Sequence, residues 1–162
     1  AHPEKVIKAV DKIAIETEKD PLYFQNLENS RSVSKEGVSN AITVAAREVA
    51  DNINVKVICC FTHGGTTAEL ASRERPRAPI IALTPDTETA RKLTLFWGLH
   101  CVVTTPVDRF KRAVMNAVKA AKLFDFASGK DLIIVIAGVP FNTPGSTNIL
   151  RVVSLEENFD DF

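Results

Sequence analysis

The sequence predicts an α/β fold, a three-layer αβα domain on a mixed, mostly parallel sheet of about five strands. Three observations carry this expectation. Short apolar runs of strand length (Val55–Phe61, Pro79–Leu83, His100–Val103 and Leu132–Ala137) recur with helix-length segments between them. Those runs are apolar at nearly every position rather than at alternate ones, the pattern of parallel strands covered on both faces. Finally, only about ten residues (138–147) separate the fourth run from Asn148–Val153. A parallel return through a helix needs a dozen or more, so the fifth strand is expected to run antiparallel.

The elements follow in order. Pro3 suits the first turn of a helix, where its missing N–H costs nothing. Val6, Ile7, Val10, Ile13 and Ala14 then recur at helical spacing, with Lys5, Lys8, Asp11, Lys12 and Glu16 opposite. This helix is expected to end before Asp20-Pro21. Residues 20–34, polar and rich in Asn and Ser, read as an irregular connection and the natural place for a domain boundary. The chain accordingly divides into a preceding helix or linker (1–20), the α/β domain (21–158) and a tail (159–162). Ser34 is placed to cap a helix from Lys35 to about Asp51 with Val38, Ile42, Ala45, Ala46 and Val49 as its stripe.

Beyond the first strand, Ala68–Arg75 reads as helix stopped by Pro76. Thr84-Pro85 reads as N-cap and first helical residue of a helix leading to Trp97-Gly98. Pro106 is expected to open a long helix with Val107, Phe110, Val114, Val118 and Ala121 on its apolar side. The acidic end, Glu156–Phe162, reads as a mobile tail.

Composition narrows the function classes. The chain has 162 residues, 45% hydrophobic and 25% charged, which suits one soluble domain with a sizeable core. Twenty basic and twenty acidic residues cancel, so there is no large basic field, and nucleic acid or an anionic membrane is not expected as main partner. No apolar run approaches the roughly 18–20 residues of a membrane span. Ala1-His2-Pro3-Glu4-Lys5 does not read as a signal peptide. The chain opens without Met inside a helix, so it is expected to be a fragment of something longer. Cys59 and Cys60, neighbours on a strand, point to opposite faces. With Cys101 they read as small buried hydrophobes of a reducing, cytoplasmic compartment.

In open α/β sheets ligands sit outside the carboxyl ends of the strands. There the first strand is followed by Thr62-His63-Gly64-Gly65-Thr66-Thr67. The glycines let the backbone present its N–H groups, the threonines add hydroxyls, and the next helix points its positive end at the same spot. In chemical terms this is a phosphate cradle, although two glycines also suit a plain strand-to-helix turn. The loop is neither a Walker loop nor G-x-G-x-x-G. The loop between the fourth and fifth strands starts from the same edge, so Gly145, Ser146 and Thr147 are placed to close over the same anion; a rigid Pro/Gly turn is the alternative. His63 beside an anion would bind it better protonated. No metal-ligand spacing, nucleophile elbow or close carboxylate pair is apparent, which favours a phosphate-binding module over a self-contained enzyme.

Several ordered motifs then resemble one family. Arg75-Pro76-Arg77-Ala78-Pro79-Ile80, Thr84, Thr89-Ala90-Arg91 and Trp97-Gly98 are similar to the C-terminal domain of pyruvate kinase, of the bacterial type. Thr62–Thr67 falls on that family's Thr-x-Ser-Gly-x-Thr loop, and Gly138 with Pro144–Asn148 on its Gly-rich loop ending in Thr-Asn. His2–Ala14 looks like the last barrel helix or linker before that domain. The resemblance implies a parent enzyme that transfers a phosphoryl group from phosphoenolpyruvate to ADP with Mg and usually K ions, in a barrel this chain lacks. The chain alone is therefore expected to be inactive.

The resemblance further implies an allosteric phosphate effector, a sugar phosphate or nucleotide monophosphate, and a homotetramer in which the domain meets the catalytic barrel of its own chain. Thr62, His63, Gly65, Thr66 and Thr67 match the effector-phosphate loop, and Gly145, Ser146 and Thr147 the capping loop. Gly64 stands where the family has Ser, which removes one hydroxyl from the cradle. Two other readings stay open. One is a stand-alone phosphometabolite-binding module. The other is a structural oligomerisation domain whose last strand, Ile149–Val153, pairs across a two-fold axis.

Overall fold

The structure, a computed structural model, describes residues 2–30, 36–141, 143 and 145–157. The chain divides into two compact units, Ala1–Val33 and Ser34–Phe162.

The first unit holds α1 (Pro3–Glu18) and α2 (Pro21–Ser30). Pro3 opens α1 as expected, and Val6, Ile7, Val10 and Ile13 form an exposed apolar stripe along it. Residues 21–30 are a helix rather than the irregular connection expected of them. Asp20 explains the difference: its carboxylate accepts from the Leu22 N–H at 2.8 Å while Pro21 takes the first position, whose N–H needs no partner.

The second unit runs α3 (Val38–Asn52), β1 (Val57–Phe61), α4 (Thr66–Arg73), β2 (Ile80–Thr84), α5 (Thr87–Leu93), β3 (Leu99–Val103), α6 (Phe110–Leu123), β4 (Leu132–Gly138) and β5 (Thr147–Ser154). The strand order is β3-β2-β1-β4-β5, with every pair parallel except β4 and β5, which run antiparallel. The short last crossover therefore does what its length dictates. Ala113, Val114 and Ala117 of α6 cover one face of the sheet with Val57, Cys59, Ile81 and Val135. Ala46 of α3, Ala68 of α4 and Leu93 of α5 cover the other with Ile58, Cys60, Ile80 and Ile134. All five residues of β1 and of β2 are buried, the signature of central parallel strands.

Four helix starts differ from expectation. α4 spans Thr66–Arg73 rather than Ala68–Arg75. Gly37, not Ser34, is the N-cap of α3, and Ser34 lies outside the described residues. Val38 is largely exposed, and Thr43, Ala46, Arg47 and Ala50 form the buried side. Thr84 ends β2 instead of capping α5; Asp86 is the cap, its carboxylate accepting from the Thr89 N–H at 2.7 Å. The long helix begins at Phe110 rather than Pro106, so residues 104–107 remain loop at the carboxyl end of β3. The expected tail lies outside the described residues from 158 onward.

This strand order positions the site. From β1 the chain moves to β2 and β3 on one side, then crosses back to β4 on the other. The neighbours β1 and β4 thus send the chain on to strands on opposite sides of the sheet, and the carboxyl edge between them is the place where ligands settle in open α/β sheets.

Candidate functional site

At that crevice lies a cavity of about 130 Å³. Thr62, His63, Gly64, Thr66 and Thr67 line it from the β1–α4 turn, and Gly138, Phe141, Thr143, Ser146 and Thr147 from the β4–β5 loop. Phe61, Leu83 and Pro85 give it an apolar base, and Thr104, Thr105, Pro106 and Val107 form a third wall after β3.

The two loops expected to converge do so by direct contact. The hydroxyls of Thr67 and Thr147 lie 2.6 Å apart, both residues more than nine-tenths buried. Gly65 and Gly145 differ from the other expected residues in shaping the site without lining it. Gly65 is the N-cap of α4 at φ 98°, a backbone state that other residues adopt only under strain, and its N–H donates to the Thr62 hydroxyl at 2.9 Å. Thr62 accepts in that bond, which leaves its hydroxyl proton to be donated elsewhere. The Gly145 carbonyl accepts from the Ser39 hydroxyl at 2.8 Å. The Ser146 hydroxyl is directed to the Thr143 carbonyl at 2.7 Å.

Close packing fixes the second loop over β4. A Cβ built on Gly138 would stand 2.2 Å from the Ser146 hydroxyl oxygen and 2.9 Å from the Ser146 carbonyl carbon, so only glycine admits this approach. The Asn148 amide completes the seam, donating to the Val139 carbonyl at 2.6 Å and accepting from the Val139 N–H at 3.0 Å. Both bonds lie beside the shift in register at Ala137 and Gly138, where Asn148 is the unpaired residue of β5.

Electrostatically the cavity offers neutral donors. No Lys or Arg is among its described lining residues; His63 is its one titratable side chain. The α4 N-terminus has no side-chain cap, so its first-turn amides keep their capacity for an acceptor. Asp86 lies near His63, and hydrogen bonds from Thr89 hold its carboxyl below the ordinary range, with the field of His63 a smaller contribution. Among the described residues no three His, Cys, Asp or Glu side chains converge. What the arrangement can do chemically is surround a small anionic group with hydroxyls and amides while packing an apolar neighbour against Phe61, Leu83 and Phe141.

Sequence reasoning missed the wall at residues 104–107. Its signal was present: the rule that selected the loops after β1 and β4 applies equally to the loop after β3. Reading Pro106 as a helix start concealed it.

Comparison with known proteins places this geometry in a family. Residues 40–153 match the family model described as pyruvate kinase, alpha/beta domain. The chain belongs to this pyruvate kinase family. A pyruvate kinase of Methylorubrum extorquens is 39% identical over 150 residues, covering 93% of this chain and 31% of the relative. One from Agrobacterium vitis is 40% identical over 152 residues, covering 94% and 32%. Among solved structures, Cryptosporidium parvum pyruvate kinase in complex with ADP superposes with a TM-score of 0.71 at 31% identity, covering 83% of this chain and 27% of that one. The chain thus spans about a quarter to a third of the length of the curated pyruvate kinases it matches. The five-stranded mixed sheet is that of the pyruvate kinase alpha/beta domain. No helix among the described residues is long and apolar enough to cross a membrane.

Proposed function

We propose that this chain is the regulatory domain of a pyruvate kinase and that its cavity binds a phosphorylated metabolite, a sugar phosphate or a nucleotide monophosphate. The observation carrying this reading is the meeting of the two loops over one cavity, with Thr67 and Thr147 in hydroxyl contact beside the uncapped start of α4. Hydroxyls and amides of Thr62, Gly64, Thr66, Thr67 and Thr147 surround the phosphate, His63 adds charge when protonated, and the apolar base accepts the ester's body. Gly65, Gly145 and Ser146 hold the two walls in shape.

The parent protein transfers a phosphoryl group from phosphoenolpyruvate to ADP with Mg and K ions, in catalytic domains outside this stretch. By itself the stretch is inactive. In the cytoplasm the assembled protein is a homo-oligomer in which this domain meets its own catalytic barrel. Calorimetric titration of the 162-residue chain with glucose 6-phosphate and with AMP tests the reading: saturable heat at one site per chain is expected, and absence of heat at millimolar ligand overturns it.

A further inference from the structure

Ser39 lies in the first turn of α3, half-buried, and does not line the cavity. Its hydroxyl donates to the Gly145 carbonyl at 2.8 Å, with the Thr147 carbonyl 3.4 Å away as second acceptor. These partners are 106 and 108 residues distant in sequence, so the contact exists only because the fold delivers the loop to α3. The bonds that Ser146 and Asn148 make, to Thr143 and Val139, tie the loop to itself. That of Ser39 ties it to the helical layer. From Thr147 the connection continues through the hydroxyl contact to Thr67 and the start of α4.

We propose that Ser39 is a positioning residue for the cavity. It holds the Gly145–Thr147 backbone where Thr147 meets Thr67, so ligand affinity depends on a side chain that never touches the ligand. This rests on the reading of the cavity as a phosphate-ester site. The hydroxyl-to-Gly145 contact is solvent-exposed, so water can replace the lost partner; its removal acts on loop placement more than on global stability.

The test uses the 162-residue chain with Ser39→Ala and Ser39→Thr, read by amide hydrogen exchange without ligand and by titration with AMP and glucose 6-phosphate. Ser39→Ala is expected to speed exchange in peptides spanning 145–148 and weaken binding about two- to ten-fold, the range of one neutral hydrogen bond. The melting temperature is expected to stay in place. Ser39→Thr, which keeps the hydroxyl, is expected to restore both readouts. Unchanged exchange at 145–148, acceleration spread through the sheet, or failure of Ser39→Thr to rescue overturns the proposal. If the parent chain binds neither probe, the phosphate-ester reading falls, while the exchange data still decide whether Ser39 places the loop.

Discussion

Two turns leave neighbouring parallel strands at the same end of the sheet, and they treat the helices that follow them differently. After β2, Asp86 turns its carboxylate onto the Thr89 amide, so α5 begins with its donors answered from within. After β1, Gly65 occupies the same cap position with no side chain to offer, and α4 begins with its amides open toward the cavity. The β4–β5 loop then lies against the open turn through Thr67 and Thr147. The first arrangement gives local stability. The second forgoes a cap and leaves the first-turn amides of α4 without a side-chain acceptor.

The contrast can be broken most severely at Gly138. Gly138→Ala forces a Cβ against Ser146 and displaces the loop; a loss of about 1–3 kcal/mol in urea unfolding is expected, together with loss of phosphate-ester binding. Thr67→Val comes next. It leaves the buried Thr147 hydroxyl without its partner and is expected to cost about 1–2 kcal/mol, whereas adding Thr147→Val recovers much of the loss in a double-mutant cycle.

Gly64→Ser sharpens the contrast in the other direction. A Cβ there meets nothing within 4 Å, so a hydroxyl can be added to the open turn, with binding tightened about ten-fold and stability unchanged within about 0.5 kcal/mol. The smallest effect is expected at Asp86→Ala, which removes the internal cap of α5 and lowers the melting temperature. Because the Asp86 carboxyl is held below its ordinary value of 3.8, its contribution is complete above that pH. The gap between parent and variant therefore closes as pH falls below 3.8, through the depressed value.

The sheet was legible in the sequence because Val57–Phe61, Ile80–Leu83 and Ile133–Ala137 had to be apolar on both faces, a demand no surface element shares. The meeting of the 62–67 and 145–147 segments was legible for a related reason: parallel strands bring their exits to one edge. X-Pro pairs were less informative. Asp20-Pro21 starts a helix, whereas Thr84-Pro85 and Thr105-Pro106 precede helices that begin later. A proline fixes its own φ, but at Asp20 and Asp86 a carboxylate that reaches an N2 or N3 amide marks the start, while α6 begins after Arg109 with no side-chain cap. The Ser39 contact had no local signature, since a serine in a first helical turn looks the same whether its hydroxyl meets water or a distant carbonyl.

Cys59 and Cys60 are adjacent in the chain yet stand in different apolar clusters, one beneath α6 and the other beneath α3–α5. Burial pushes the Cys59 thiol up to about 12 and Cys60 well above its ordinary range. Burial therefore keeps both sulfurs protonated: neither offers a thiolate to an oxidant, and the two cannot be joined without tearing the central strand from its neighbours. For this pair, oxidation begins only after the fold is gone.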